Sequence, residues 1–176
     1  VRSSAASDVY KRQFSDDKSG PNIHEDFVEL YNLVFTQYYR DLDGKDTSLP
    51  FNNIDTGMGL ERTVSILNSV KSSYETDIFS EHLTHLNTLI KEKGLDVEKS
   101  KRIIAEHGRS ASFLIGDGVL PENTGRGYVL RRLIRRAMIT AKKLDLEFPI
   151  LSPMAKITSN KLSHIYPCLL YTSDAA

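Results

Sequence analysis

Two glycines one residue apart stand between an aspartate and an arginine in the segment IDTGMGLER, residues 54–62. Glycine lets the backbone approach a ligand closely because it has no β-carbon. A helix that begins after the glycines would direct unpaired N–H groups at a phosphate or a carboxylate. Asp55 supplies a carboxylate that could hold an ammonium group, and Arg62 supplies a planar cation that could pair with phosphate or stack on a base.

The local pattern also fits a plain structural interpretation. The segment lacks the third glycine of a dinucleotide-binding fingerprint, so an ordinary strand-to-helix turn would account for its glycines. Asp55 would then be a helix N-cap. By residue type alone, Asn32 would satisfy a buried strand edge and Val34 would belong to the core. The residues of this segment therefore leave both interpretations open.

A second concentration of functional groups is a run of cations with helical spacing. Arg131 and Arg135 share one helix face, and Arg132 and Arg136 share another. The run comprises Arg126, Arg131, Arg132, Arg135, Arg136, Lys142 and Lys143. It is typical of a surface that contacts RNA phosphates, which would set affinity and its salt dependence. A solvated basic face with salt bridges to nearby acidic residues is the alternative.

The bulk composition is that of an ordinary globular protein. The chain of 176 residues has 23 basic and 23 acidic side chains, which argues against bulk attraction to nucleic acid. The sequence contains no run of eighteen apolar residues, so we predict no membrane span. No secretion leader is recognised. The single cysteine, Cys168, argues against a disulfide framework and a cysteine-built zinc site, and His107 lacks a metal-type partner one helical turn away. We expect a cytoplasmic protein with no membrane partner and no metal-ligating residues.

The spacing of apolar residues along the chain predicts the strands and helices that position these groups. We predict strands over 26–39 and 49–55, joined by a turn over 41–46. A helix should follow the glycines directly, and further helices should cover 77–93, 98–115 and 128–144. Gly94 should end the second helix, and Pro149 and Pro153 should break a weaker helical pattern over 145–165.

These elements predict an α+β fold in which a short β-containing module precedes an all-helical one. We place the first module at residues 14–74 and the second at 75–166. Residues 1–13 and 167–176 show no relation to either module. We interpret them as foreign translated sequence, with disordered native ends as the alternative.

The string DTGMGLER, residues 55–62, closely resembles the third signature motif of class II aminoacyl-tRNA synthetases, in the form used by alanyl-tRNA synthetases. The resemblance covers residues 25–143 and continues in the same order through 29–38, 73–79, 102–107, 113–121 and 123–137. It implies the C-terminal part of an antiparallel-sheet catalytic domain, followed by an all-helical domain that recognises tRNA. The sequence departs from the family at Tyr31, Gly108 and Glu122, where tryptophan, an apolar residue and serine are usual.

Members of that family join alanine to ATP, release pyrophosphate and pass the alanyl group to tRNA. The resemblance implies that Asp55 binds the α-amino group of alanine, that Asn32 contacts the amino acid, and that Val34 and Gly57 bound its small pocket. The implied ATP-binding residues are Gly57, Gly59 and Arg62, and the implied catalytic residues are Asp55, Asn32 and Arg62. Mg²⁺ is expected with the ATP, although no ligand for it can be named.

In the same family the helical region contacts the acceptor stem of tRNA, and Asn123 matches an asparagine that reads a wobble pair there. The implied RNA-contact residues are Asn123, Arg126, Arg131, Arg132, Arg135 and Arg136. DNA is not an expected partner. Motifs 1 and 2 and the editing domain with its zinc are not found in this sequence, so we expect a fragment that is inactive by itself. A non-catalytic RNA-binding helical module and a helical interaction domain are the alternatives.

Overall fold

The computed structural model describes residues 4–11, 27–147 and 149–171. Within these ranges the protein is α+β, with one three-stranded antiparallel sheet and five α-helices. The chain separates into two compact units, of which the first ends at Thr76 and the second begins at Asp77. None of the helices in the described ranges is both long and apolar enough to cross a membrane.

The sheet of the first unit has the strand order β1-β2-β3. Its strands are β1 (Ser4–Lys11), β2 (Phe27–Arg40) and β3 (Asp46–Met58). The β-branched and aromatic residues of β2 favour a strand, and both predicted strands are confirmed. β3 is longer than predicted, because it continues past Asp55 to Met58 instead of ending at the glycines.

The hairpin between β2 and β3 is closed by its own polar side chains. The carboxylate of Asp41 accepts hydrogen bonds from the backbone N–H groups of Asp43 and Lys45, at 3.0 and 2.8 Å. Gly44 has a φ of 82°, which glycine adopts without a β-carbon clash. This turn confirms the one predicted over 41–46 and sets the register of the two strands.

The helix predicted to follow the glycines is α1 (Leu60–Leu67), with Gly59 as its N-cap. The backbone N–H of Gly59 donates to the carbonyl of Leu30 at 3.2 Å, which ties the start of α1 to β2. Asp55 lies four positions earlier, inside β3. The interpretation of Asp55 as a helix N-cap is therefore wrong.

The second unit packs four helices around one apolar core. These helices are α2 (Asp77–Leu89), α3 (Leu95–Gly116), α4 (Gly125–Lys143) and α5 (Leu151–Leu162). The largest fully buried apolar side chains are Leu86, Ile104, Leu130, Met154 and Leu169. Every helix of this unit contributes to the core, and so does the 3₁₀ helix Pro167–Tyr171, through Leu169.

Gly108 lies within α3 and does not interrupt it. A β-carbon placed on Gly108 would lie 2.6 Å from Cβ of Met154, which is closer than carbon atoms approach one another. Glycine at this position therefore lets α5 cross α3 at short distance. That close packing accounts for a residue whose helix propensity is about 1 kcal/mol poorer than that of alanine.

Two details of the helix prediction are wrong. α2 ends at Leu89, and Gly94 is the N-cap of α3, with a φ of 147°, where it was predicted to end the preceding helix. Pro153 does not break α5, because it lies in the first turn, where its missing N–H needs no helical partner. Pro149 precedes the helix and is compatible with it.

The two predicted ends are partly described. Ser4–Lys11 is a strand paired with β2, and Pro167–Tyr171 is a 3₁₀ helix that buries Leu169. The first stretch thus has backbone pairing and the second has apolar burial, and the disordered-end alternative stays a prediction like the foreign origin. Residues 1–3, 12–13 and 172–176 of the predicted ends lie outside the described residues. The foreign origin of both ends stays a prediction.

Candidate functional site

The register of β2 and β3 collects the four residues predicted to bind alanine. Asn32 is the partner of Gly57, and Val34 is the partner of Asp55. Directly opposed residues of an antiparallel pair project to the same face, and so do residues two apart on one strand. Asn32, Val34, Asp55 and Gly57 therefore form a two-by-two array on one face of the sheet, which we call the sheet-face block.

Gly57 leaves room for the side chain of Asn32. A β-carbon placed on Gly57 would lie 3.0 Å from Oδ1 of Asn32, so any larger residue would displace the amide. Asn32 is half-buried and lies in the central strand of the sheet. It therefore does not satisfy a strand edge, as its residue type alone would suggest, and its amide lies across the backbone of β3 at Gly57.

The carboxylate of Asp55 is exposed on the same face. Across the described ranges of the chain, no hydrogen bond or ion pair engages this carboxylate. Val34, its cross-strand partner, is half-buried rather than part of a core. The sheet-face block thus combines an accessible anion, an amide and a small apolar surface, which are the groups that an amino acid with a short side chain needs.

The next pair along the same face is Thr36 and Asn53, both half-buried. Sequence reasoning did not single out either residue. Thr36 lies two positions from Val34 and Asn53 two positions from Asp55, and this strand spacing would have identified them from the sequence. They extend the polar face by one row, on the side away from α1.

The other predicted nucleotide residues lie where α1 begins. The side chain of Arg62 runs beside Gly59, because a β-carbon placed on Gly59 would lie 3.4 to 3.5 Å from Cβ, Cγ and Cδ of Arg62. The N-cap residue offers no side-chain hydrogen bond to the first turn. Its carbonyl accepts from the Thr63 hydroxyl at 2.8 Å. Because glycine has no side chain, no N-cap side chain occupies the backbone N–H groups in the first turn of α1. An anion site requires such available N–H groups.

In the second unit, five of the six residues predicted to contact RNA line one cleft of about 550 Å³. These five are Asn123, Arg131, Arg132, Arg135 and Arg136. Ile103, Tyr128, Ile139, Thr140 and Lys143 complete the lining, and we call the whole the arginine cleft. Arg126 is exposed but does not line it, so the structure does not bring that residue into the cleft.

The arginine cleft is strongly positive. Four guanidinium groups and the ammonium of Lys143 line it, and none of its described lining residues carries a carboxylate. Within the described ranges none of the four arginines forms a salt bridge. The salt bridges expected of a solvated basic face are therefore not found among the described residues, and no described acidic side chain neutralises the charge of the cleft.

Tyr128 is a residue of the cleft that sequence reasoning missed. The guanidinium carbon of Arg132 lies 5.8 Å from the centre of the Tyr128 ring, one helical turn away. This cation–π contact is worth about 0.5–1 kcal/mol at an exposed site. The four-residue spacing from Tyr128 to Arg132 was the available signal. The half-exposed ring gives the cleft a flat apolar surface beside its cations.

His107 is buried on α3, and burial is the main reason that its pKa lies below the ordinary histidine value, with the charge of Arg136 acting in the same direction. Across the described ranges, no three His, Cys, Asp or Glu side chains come together as metal ligands.

Comparison with known proteins gives a consistent result. Residues 6–175 match the family model described as tRNA synthetases class II (A). The chain is 48% identical over 144 residues to the alanine–tRNA ligase of Dehalococcoides mccartyi, covering 80% of this chain and 16% of that protein. It is 40% identical over 172 residues to the alanine–tRNA ligase of Bacillus anthracis, covering 95% of this chain and 20% of that protein. The chain thus spans a fifth or less of the length of these relatives.

Proposed function

Because the chain belongs to the class II (A) tRNA synthetases, we propose that it is a segment of an alanine–tRNA ligase. In this ligase the sheet would form part of the site that activates alanine with ATP, and the helical unit would contact tRNA. The register that gathers the sheet-face block is the observation that carries this proposal. In this proposal the first unit is the C-terminal part of the catalytic domain, and the second is a helical tRNA-recognition domain.

Asp55 would bind the α-amino group of alanine. An exposed carboxylate that has no partner among the described residues is suited to an ammonium ion, and such charge-assisted hydrogen bonds are about twice as strong as neutral ones. Held this way, the carboxylate of alanine attacks the α-phosphorus of ATP, and pyrophosphate leaves. The contribution of Asp55 is to orient the substrate for that attack.

Asn32 and Val34 would complete the amino-acid pocket. The amide of Asn32 can both donate and accept hydrogen bonds, and Val34 lies beside Asp55, where it would contact the methyl group of alanine. Gly57 would keep the pocket open for the Asn32 side chain, since a β-carbon there would lie 3.0 Å from its oxygen. A larger residue at position 57 would alter which amino acid fits.

Gly57, Gly59 and Arg62 would contact the nucleotide. The glycine backbone and the first turn of α1 offer N–H groups to phosphate, and Arg62 would pair with phosphate or stack on the adenine. Together they would neutralise charge that develops at the reacting phosphate. Mg²⁺ would arrive with ATP, and we assign no ligand for it to this chain, because no cluster of acidic side chains gathers among the described residues.

The arginine cleft would contact the acceptor stem of tRNA. Its cations form no salt bridge with a described residue and are suited to RNA phosphates, and Asn123 at its rim carries an amide that could read a base edge. Because the cleft lies wholly within the second unit, a non-catalytic RNA-binding module remains the second candidate function. In either case we propose a cytoplasmic protein of translation that, as this segment alone, does not activate alanine.

Alanine-dependent exchange of pyrophosphate into ATP, measured in the full-length ligase, tests the catalytic part of the proposal. The change Asp55→Asn removes a charged hydrogen-bond partner worth about 1.5–3 kcal/mol. We therefore expect exchange at subsaturating alanine to fall about ten- to hundredfold. Asp43→Asn, in the exposed hairpin turn, is the matched control and should leave the rate unchanged. Equal rates for the two variants would overturn the role of Asp55.

A further inference from the structure

Asn123 and Arg131 are joined by a hydrogen bond at the edge of the arginine cleft. The guanidinium Nη1 of Arg131 donates to the side-chain oxygen of Asn123. Asn123 lies just before α4, and Arg131 lies in the second turn of that helix. Both side chains line the cleft. The residue proposed to read RNA is thus held by one of the arginines proposed to attract it.

This hydrogen bond fixes which end of the amide meets Arg131. A guanidinium group has five N–H donors and no acceptor, so the atom of Asn123 that it contacts must be the oxygen. Across the described ranges, the Asn123 amide has no other hydrogen-bond partner. Its nitrogen therefore keeps both N–H groups available.

The backbone that carries Asn123 is also held in place. A β-carbon on Gly127 would lie 2.4 Å from the carbonyl oxygen of Leu120 and 2.5 Å from Cβ of Glu122. The segment before α4 therefore packs directly on the first turn of that helix. The terminal amide torsion of an asparagine is otherwise broad, so the hydrogen bond to Arg131 is what removes this remaining freedom at an exposed side chain.

We infer that Arg131 is a positioning residue that orients the Asn123 amide, so that Asn123 meets RNA as a hydrogen-bond donor only. An amide held this way favours a base edge that carries an acceptor, such as a carbonyl oxygen, and disfavours one that carries an amino group. This inference rests on the proposed contact between the arginine cleft and RNA. Arg131 then has two roles. Its charge attracts phosphate, and its hydrogen bond to Asn123 sets the base preference.

The exchange of uridine for cytidine in a stem replaces a carbonyl acceptor with an amino donor on the pyrimidine. The probes are RNA stem–loops that are identical except for one pair, G·U in the first and G–C in the second, at each stem position in turn. The full chain of 176 residues is titrated with each RNA. We expect the unmodified protein to prefer G·U at one position by about tenfold.

The variant Arg131→Lys keeps the charge but loses the planar donor pair. We expect its mean RNA affinity to change less than threefold and its preference for G·U to fall to less than twofold. Arg126→Lys is the matched control, because Arg126 is an exposed arginine of the same helix that does not line the cleft and has no bond to Asn123. It should keep the tenfold preference. Thermal unfolding followed by circular dichroism should be the same for both variants.

The variant Asn123→Asp offers Arg131 an oxygen but replaces the N–H donors with a second acceptor. It should lose the preference for G·U altogether. A preference that survives in Arg131→Lys or in Asn123→Asp would overturn the inference and leave RNA binding by the cleft intact. Absence of any position preference in the unmodified protein would also overturn it. Absence of salt-dependent RNA binding by the unmodified protein would overturn the proposed RNA contact itself.

Discussion

The sheet and α4 bring functional groups together by different means. In the sheet, Asn32 meets Gly57 and Val34 meets Asp55 only because β2 and β3 pair in one register. In α4, the arginines of the cleft share a surface because they are spaced by one helical turn. A shift of one residue in the hairpin register would move the members of one strand to the opposite face of the sheet. Residues of a single helix cannot change faces in this way, because their relative positions are fixed by the helical repeat.

The two regions also differ in how their apolar residues are used. Every fully or nearly fully buried apolar side chain of the described ranges lies between Phe79 and Leu169, in the helical unit. In the sheet, Phe35, Ile54 and Met58 are exposed. Burial of apolar surface is the main favourable term in folding. The helical unit therefore has the means to fold alone, and the described part of the sheet has not.

The largest expected effect follows from separating the two units. Residues 77–176 expressed alone should unfold in one cooperative thermal transition, because the helical core lies within them. Residues 1–76 expressed alone should show no such transition. Calorimetry of the two pieces makes the measurement. A cooperative transition in the sheet piece, or none in the helical piece, would break the contrast.

Protonation of His82 should destabilise the helical unit below neutral pH. His82 is fully buried, and its Nε2 lies 2.9 Å from the hydroxyl of Thr158, which itself donates to the carbonyl of Met154. The hydroxyl therefore accepts from Nε2–H of a neutral ring. Burial lowers the pKa of His82 from 6.5 to about 4.

Since the folded pKa lies below the unfolded one, the unfolded chain binds more protons between these values. The contribution of neutral His82 to the free energy of unfolding is fully present above pH 6.5. It is lost as the pH falls toward 4, by up to about 3 kcal/mol. Denaturant unfolding at a series of pH values measures it. His82→Gln should flatten this dependence, whereas His164→Gln, at an exposed position, should preserve it. Parallel curves for the two variants would exclude His82 as the source.

At the sheet-face block, Gly57→Val should disturb the amide of Asn32. A β-carbon alone would lie 3.0 Å from its oxygen, and the two methyl groups of valine add to the conflict. A displacement of about 1 Å can cost about a hundredfold in rate. Alanine-dependent pyrophosphate exchange in the proposed full-length ligase should fall by this order. Thr56→Val, which projects to the opposite face, should have little effect, and a matching loss there would point to general damage of the strand.

Gly108→Ala should destabilise the helical unit although alanine favours helix. The added carbon would lie 2.6 Å from Cβ of Met154, and overpacking of this kind costs about 1–3 kcal/mol. Denaturant unfolding should reveal the loss, with the exposed Lys99→Ala change on α3 as a control. A stabilised Gly108→Ala variant would show that α5 moves aside without cost.

The sequence was sufficient for most elements and for the local grouping of cations. Periodicity predicted β2, α1, α3 and α4 because hydrophobic spacing and turn residues act over short distances. The resemblance supplied Asn32, Val34, Asp55 and Gly57, but only the strand register gives them a common face. Gly94 and Pro153 were misread because a glycine between two helices can end one or begin the other, and because a proline is tolerated in a first turn.

The grouping in the arginine cleft was also only partly predictable. Spacing on one helix predicted the shared faces of the arginines, but Ile103 comes from α3, and its place in the lining depends on how α3 and α4 pack. The hydrogen bond between Asn123 and Arg131 joins a loop to a helix, and no periodic pattern encodes it. Arg126 fits the charge pattern and yet does not line the cleft.

The most direct test of the separate roles proposed for the two units is RNA affinity as a function of salt, measured in the proposed full-length ligase with Arg132→Gln and Arg135→Gln. We expect the dissociation constant to rise about tenfold, or about 1.4 kcal/mol, and the salt dependence to become shallower. Arg126→Gln, outside the cleft, should change neither, and alanine-dependent pyrophosphate exchange should stay at the unmodified rate in all variants. Unchanged RNA affinity in the double variant, or exchange that falls together with it, would contradict the division of roles.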